Sequence, residues 1–145
     1  MKFSFPNLLI LGATVVLASG YGLWHRATRG KFKGAKSAPH AASAPLVTAA
    51  EIDSALGTRV TLLQFSSAFC TPCRATRALL TDITADMNDV VHVDVDAESH
   101  LELVRRLDIR STPTTIILNK HGHEVGRAVG APKRAQVIDV IASVS

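Results

Sequence analysis

The sequence predicts an α/β fold: a mixed central sheet flanked by helices, preceded by one N-terminal transmembrane helix. Three observations carry this expectation. Strand and helix patterns alternate over residues 59–107, and two more strands follow with a tight turn between them. The first 45 residues are set apart, being either uniformly apolar or rich in Gly, Ala, Ser, Pro and Lys.

Residues 8–24 carry no charge, the lower edge of a membrane-spanning length. Tyr21 and Trp24 near the end of the run suit an interfacial aromatic belt. A cleaved signal peptide is the alternative, with Lys2 as its basic start and Val16-Leu17-Ala18 as its small-residue site. A buried helix is the other, although nothing downstream lacks one. The dense cationic stretch that follows favours a retained anchor. That stretch (Arg26, Arg29, Lys31, Lys33, Lys36) outweighs Lys2, so the positive-inside rule places the folded domain on the cytoplasmic side of a cell membrane. The reverse, extracytoplasmic placement stays open. The expected organisation is therefore an anchor with its basic flank at 1–29, a flexible tether at 30–45 and a folded domain at 46–145.

Charge follows the same division. Residues 1–45 hold six lysines and arginines and no acid, whereas residues 46–145 hold ten against twelve acids. The net +4 thus belongs to the tail. No basic stripe marks the folded part, which argues against nucleic acid as a partner.

Within the domain, Thr48-Ala49-Ala50-Glu51 is a capping-box pattern that opens a short helix to about Leu56, ended by Gly57. Residues 59–65 and 90–95 are apolar and β-branched, as buried strands are. Between them Ala75, Leu79 and Ile83, with Leu80 and Met87, recur at helical spacing. Leu101, Val104 and Leu107 define a crossover helix over 97–107. Residues 114–118 and 124–129 form two antiparallel strands around Lys120-His121-Gly122-His123. Pro132 opens a last helix whose inner face is Val137, Ile138 and Ile141. His100, His121 and His123 read as solvent-exposed turn or helix-start residues.

The two cysteines of the chain, Cys70 and Cys73, stand where the first strand runs into the first long helix. Pro72 is tolerated between them because first-turn N–H groups lack intrahelical acceptors. Cys70 then lies at the helix start, where unpaired N–H groups and the helix dipole stabilise a thiolate. Thiols in such settings ionise at pH values of roughly 3.5–7.5 instead of about 8.5. With no second cysteine pair, a structural zinc site lacks ligands, and no metal or cofactor is expected. A two-thiolate site for a soft ion such as Cu(I) remains an alternative.

Phe69-Cys70-Thr71-Pro72-Cys73 resembles the active-site loop of the thioredoxin family, with Thr71-Pro72 where Gly-Pro is usual. Ile109-Arg110-Ser111-Thr112-Pro113-Thr114 resembles the family segment whose proline is cis and whose backbone binds extended substrate. Val129-Gly130-Ala131 resembles its late glycine turn. The three motifs occur in order, and the likeness spans roughly residues 48–144. It implies a thioredoxin-like fold and thiol–disulfide exchange with protein thiols. Cys70 would attack, Cys73 would resolve, and Thr112, Pro113 and Gly130 would bind substrate.

A cytoplasmic domain would act as a reductant fed by an upstream dithiol donor. An extracytoplasmic one would be an oxidase or a reductase for cytochrome or envelope thiols.

Three positions depart from the family. Gln64 occupies the site of a buried carboxylate and cannot accept a proton near neutral pH. His92 falls where a lysine is common and is a candidate proton shuttle. Phe69 replaces tryptophan, keeping an aromatic flank without the indole donor. Arg74 and Arg77, following the dithiol, read as a solvated face.

Overall fold

Seven successive buried residues, Val60–Ser66, form the central strand β2, and the sheet is built outward from it. In the computed structural model, residues 5–28, 32–34 and 45–144 are described, with side chains described at 12–24 and 45–144. The elements in chain order are α1 (Phe5–Thr28), β1 (Phe32–Gly34), β2 (Val60–Ser66), α2 (Thr71–Thr84), β3 (Val90–Asp96), α3 (Leu101–Arg106), β4 (Thr114–Asn119), β5 (Glu124–Val129) and α4 (Arg134–Ser143). The sheet order is β1-β5-β4-β2-β3. β3 runs parallel to β2, and β4 is antiparallel to β2 on its other side. The mixed sheet expected from the strand–helix order is present.

Alternation along β2 sends its side chains to two cores. Leu63 and Phe65 join Val93, Val95, Ile116, Leu118, Leu103 and Leu107 on one face. Val60 and Leu62 join Leu80 and Ile83 of α2 and Val137 and Ile141 of α4 on the other. Burying each such large side chain contributes about 1.5–3 kcal/mol, so both layers are needed to hold the sheet. Arg59 ties the two ends of this second layer. Its Nε donates to Asp89 Oδ2 at 2.5 Å and its Nη1 to the Ile141 carbonyl at 2.8 Å, fastening α4 to the start of β2.

Several boundaries differ from the sequence expectation. The capping pattern at Thr48 does form, with Glu51 Oε2 accepting from Thr48 N at 2.8 Å and Oγ1 at 2.9 Å. The helix it opens is a single 3₁₀ turn, Ala49–Glu51, because the chain takes a left-handed conformation at Asp53 (φ 47°). The crossover helix begins at Leu101 instead of 97, since the Asp96 carboxylate draws Glu98 N and Ser99 Oγ into a preceding turn. On α4, Val137 and Ile141 are buried as expected, but Ile138 is exposed and Val140 takes the inner position.

The N-terminal region differs more. Residues 32–34, placed in the tether by composition, form β1 and pair antiparallel with β5 in the register Phe32↔Ala128 to Gly34↔Gly126. Residues 30–31 and 35–44 of the tether and the charged side chains of the basic flank lie outside what the structure describes. The expected membrane helix corresponds to α1, whose Val15, Val16, Leu17, Leu23 and Trp24 are exposed. Among the described residues, however, no helix is long and apolar enough to cross a membrane.

Gly57 packs against backbone: a Cβ there would meet the Val60 carbonyl oxygen at 2.1 Å. Gly57→Ala should therefore cost about 1–3 kcal/mol and lower the melting temperature by roughly 4–8 °C per kcal/mol. A melt of the variant superimposing on the parent would show that this approach is not tight.

Candidate active site

The end of β2 delivers the chain directly into α2. Cys70 is the N-cap of α2, in an extended conformation, and its sulfur accepts the backbone N–H of Cys73 at 3.2 Å. Sulfur here does what a Ser, Asp or Asn oxygen does at an ordinary helix start. The Cys70 carbonyl also accepts from Cys73 N (3.1 Å) and Arg74 N (3.3 Å). Cys70 and Cys73 are joined as a disulfide, with Cα atoms 5.2 Å apart. Their exposure is unequal: Cys73 is 1 % exposed, whereas Cys70 is half-buried among exposed neighbours. Phe69 is 94 % exposed, and Thr71 and Pro72 also face solvent.

The second motif meets the loop that carries the dithiol. The Thr112–Pro113 peptide is cis, as the resemblance implied. Ser67 Oγ lies 3.3 Å from Thr112 Oγ1, joining this loop to the active-site loop. Gly130, at φ 88°, donates its N–H to the Pro113 carbonyl at 2.8 Å. Thr112, Pro113 and Gly130 thus lie together, and Thr112 meets the loop that leads into Cys70. The Pro113 carbonyl is already engaged within the protein, which leaves Thr112 the freer of the two peptide positions. Val129, next to Gly130, is an exposed apolar side chain.

Beneath Cys73 lies a polar layer that the hydrophobic pattern of β2 conceals. Gln64 is fully buried. Its Nε2 donates to the Cys73 carbonyl at 3.0 Å and to Ser66 Oγ at 2.8 Å, and Ser66 donates to Asp94 Oδ1. Asp94 is the register partner of Gln64 across the parallel pair and carries an ion pair to Arg77 of α2. Arg77 is exposed, as the solvated-face reading expected, and is also paired with Asp94.

His92 Nε2 sits 3.2 Å from Gln64 Oε1, and His92 Nδ1 sits 3.3 Å from Thr81 Oγ1. Because Gln64 Oε1 can only accept, His92 donates to it through Nε2–H, and Nδ1 lies within hydrogen-bond reach of the Thr81 hydroxyl. His92 reaches Cys73 only through an amide that cannot carry a proton onward.

Sequence reasoning brought Gln64 and His92 forward but missed Asp94 and Ser66. The available signal was parity: Ser66 shares a strand face with Gln64, and Asp94 shares one with His92. Among the described residues no three of His, Cys, Asp and Glu are grouped as a metal site. His121 is an exposed turn residue, as expected, whereas His123 and His100 are half-buried.

An α/β sheet with a disulfide at the N-terminus of α2 and a cis-proline loop joined to the active-site loop defines a thioredoxin-like protein. The thioredoxin family model matches residues 44–143, and the chain belongs to that family. It is 38 % identical to thioredoxin H5 of Oryza sativa subsp. japonica over 72 residues, 50 % of this chain and 53 % of that protein. It is 29 % identical to a thioredoxin of Chlamydia caviae over 96 residues, 66 % of this chain and 93 % of that one. The chain spans about half the length of the first of these curated relatives. Among solved structures, the Schistosoma mansoni thioredoxin pre-protein superimposes with a TM-score of 0.53 at 27 % identity, covering 61 % of this chain and 82 % of that one. Fasciola hepatica thioredoxin does so with a TM-score of 0.55 at 21 % identity, over 61 % of this chain and 84 % of that one, a likeness of fold.

Burial, the largest influence on His92, holds its pKa below the ordinary histidine value; Asp94 opposes this and Arg77 adds to it. Protonation of His92 is therefore easier in the unfolded chain. The stability this confers is complete above the ordinary histidine pKa and is lost as pH falls through it toward the lower folded value. Melting temperatures taken from pH 7.5 to 5 should decline, and His92→Gln should flatten that decline. Equal slopes for the two proteins would contradict a neutral, buried His92.

Proposed function

We propose that the protein is a thiol–disulfide oxidoreductase that exchanges disulfides with protein thiols and works as a reductant. The observation that carries this is the unequal pair at the helix start: an accessible Cys70 sulfur already receiving an N–H, and a shielded Cys73 one turn on. A second thiol must be near enough to free the first, yet unable to compete with it for clients.

In the reduced protein the Cys70 thiolate attacks a client disulfide. One client sulfur leaves and takes a proton, and the other is bonded to Cys70. Cys73 then gives up its proton and attacks Cys70 Sγ, which releases the second client thiol and forms the Cys70–Cys73 disulfide. The client gains two electrons and the dithiol loses them, so an upstream dithiol donor must restore it. Phe69, Thr71 and Pro72 offer an exposed rim for the client. Thr112, Pro113 and Gly130 form the floor against which an extended client segment can lie, a short case of strand addition. No cofactor takes part in these steps.

The same reading places the domain (46–145) on the cytoplasmic side of a cell membrane, held by a single helix over residues 8–24. Its support is the uncharged run, the exposed apolar side chains of α1 and the basic flank that follows. With reducing thiol buffers on that side, a reductant role fits the compartment. After cell fractionation the full chain should sediment with membranes and resist alkaline carbonate, and external protease should leave it intact. Release by carbonate, or clipping from outside intact cells, would overturn this placement.

The purified chain, with dithiothreitol as electron donor, should reduce insulin disulfides. Cys70→Ser should fall to the uncatalysed background, whereas Cys73→Ser should retain attack and accumulate a mixed disulfide with its client. No reduction by the parent, or trapping on Cys73 in place of Cys70, would contradict the assignment.

A further inference from the structure

Cys73 must lose a proton before it can resolve a mixed disulfide, and it is almost fully buried. The Gln64 amide, which holds the Cys73 backbone carbonyl, cannot take one, and His92 is turned to the far side of that amide. Two carboxylates reach the site, Asp94 and Asp96, and Asp96 is taken up by its own turn, accepting from Glu98 N and Ser99 Oγ. A cavity of about 190 Å³ opens beside the dithiol, and its wall includes Cys73, Ser66, Asp94, Asp96, Arg74 and Arg77. That volume admits water, and its lining supplies the two to four polar partners a water needs. Asp94 is held facing it on both oxygens, with Ser66 Oγ donating to Oδ1 and Arg77 pairing with Oδ2.

We infer that Asp94 is the proton acceptor for Cys73, and that Gln64 and Ser66 position its carboxylate across the sheet. This deepens the thiol–disulfide reading and rests on it. In the resolving step the Cys73 S–H bond breaks and its proton passes through the cavity to Asp94. The thiolate attacks Cys70 Sγ, the Cys70–client bond breaks, and the departing client sulfur is protonated from Asp94 or solvent. Electrons move only between sulfurs, and in the reverse direction Asp94 returns the proton to Cys73.

The register explains how an acid one strand away can serve. Gln64 and Asp94 are directly paired on β2 and β3, so both side chains rise on the face that α2 covers. Thr115 of β4 completes the same row as the antiparallel partner of Gln64. The hydroxyls of Thr115 and of Thr76, one turn past Cys73 on α2, are buried without a partner among the described side chains. Buried hydroxyls left so commonly meet water. The charges facing Asp94 are Arg77 and Arg74 from α2 and Asp96 and neutral His92 from its own strand; β2 presents only the uncharged Gln64 and Ser66.

The test uses the reduced full chain and an aromatic disulfide that releases a coloured thiolate at each step. Attack by Cys70 releases the first thiolate, and resolution by Cys73 the second. Asp94→Asn should leave the first phase within about twofold and slow the second at least tenfold near pH 7, as loss of a general base does. The deficit should close as pH rises and should be partly restored by added acetate or imidazole, a readout that a merely structural role for Asp94 would not give. If the Asn variant fails to fold, judged by its melt, Ser66→Ala carries the test and should slow the second phase about threefold. A folded Asp94→Asn or, in its stead, a folded Ser66→Ala with the parent's second-phase pH profile overturns the inference alone. A parent chain that releases the first thiolate but never the second overturns the thiol–disulfide reading as well.

Discussion

The bond on which the site depends is the one from the Cys73 N–H to the Cys70 sulfur. It makes a cysteine the cap of α2, so the reactive atom and the start of the helix are one feature. A helix N-terminus leaves four N–H groups without intrahelical acceptors, and the protein assigns one of them to sulfur. As the sulfur gains charge, that bond becomes charge-assisted and strengthens. The same bond fixes Cys73 at the third helical position, on the buried face with Thr76 and Leu80. One local interaction thereby sets both the accessibility of the first cysteine and the shielding of the second.

What lies below this turn is unusual for a sheet core. Gln64 stands in a fully buried strand, where an unsatisfied amide would cost about 1–3 kcal/mol. Every group of that amide is engaged: two donors to Cys73 O and Ser66, and the oxygen to His92. A neutral glutamine can be buried without the ionisation cost of a carboxylate, and it clamps the resolving cysteine's backbone firmly. The negative charge sits at Asp94 instead, half-buried and balanced by Arg77. Clamping and proton handling, which one buried acid could combine, are divided between neighbouring strands here.

Much of this was legible in the chain. The alternation of strand and helix from residue 59 onward reflects burial that each segment expresses locally, and β2, α2, β3, β4 and β5 fall within a few residues of their expected bounds. Cys70 and Cys73 were placed by the spacing of the pair and by Pro72, and Pro113 and Gly130 by likeness to known loops. The misses share a physical cause, which is dependence on remote partners. β1 exists through pairing with β5, and nothing in Phe32-Lys33-Gly34 announces a strand. The turn at Thr48 has its capping signal, but the chain leaves the helical path at Asp53. On α4, Ile138 is exposed and Val140 packs inward, a choice set by the partners the helix meets on the sheet. Strand parity puts Asp94 on the face of His92, but only the Gln64↔Asp94 register sets it opposite Gln64.

The central claim is that the helix start holds the Cys70 sulfur as an anion at neutral pH. The most direct measurement is the pH dependence of iodoacetamide alkylation at Cys70 in the reduced, folded chain, compared with the same chain in denaturant. The account predicts that the folded profile is displaced well below the ordinary cysteine range and that unfolding restores it. Superimposable profiles in the two states would contradict it.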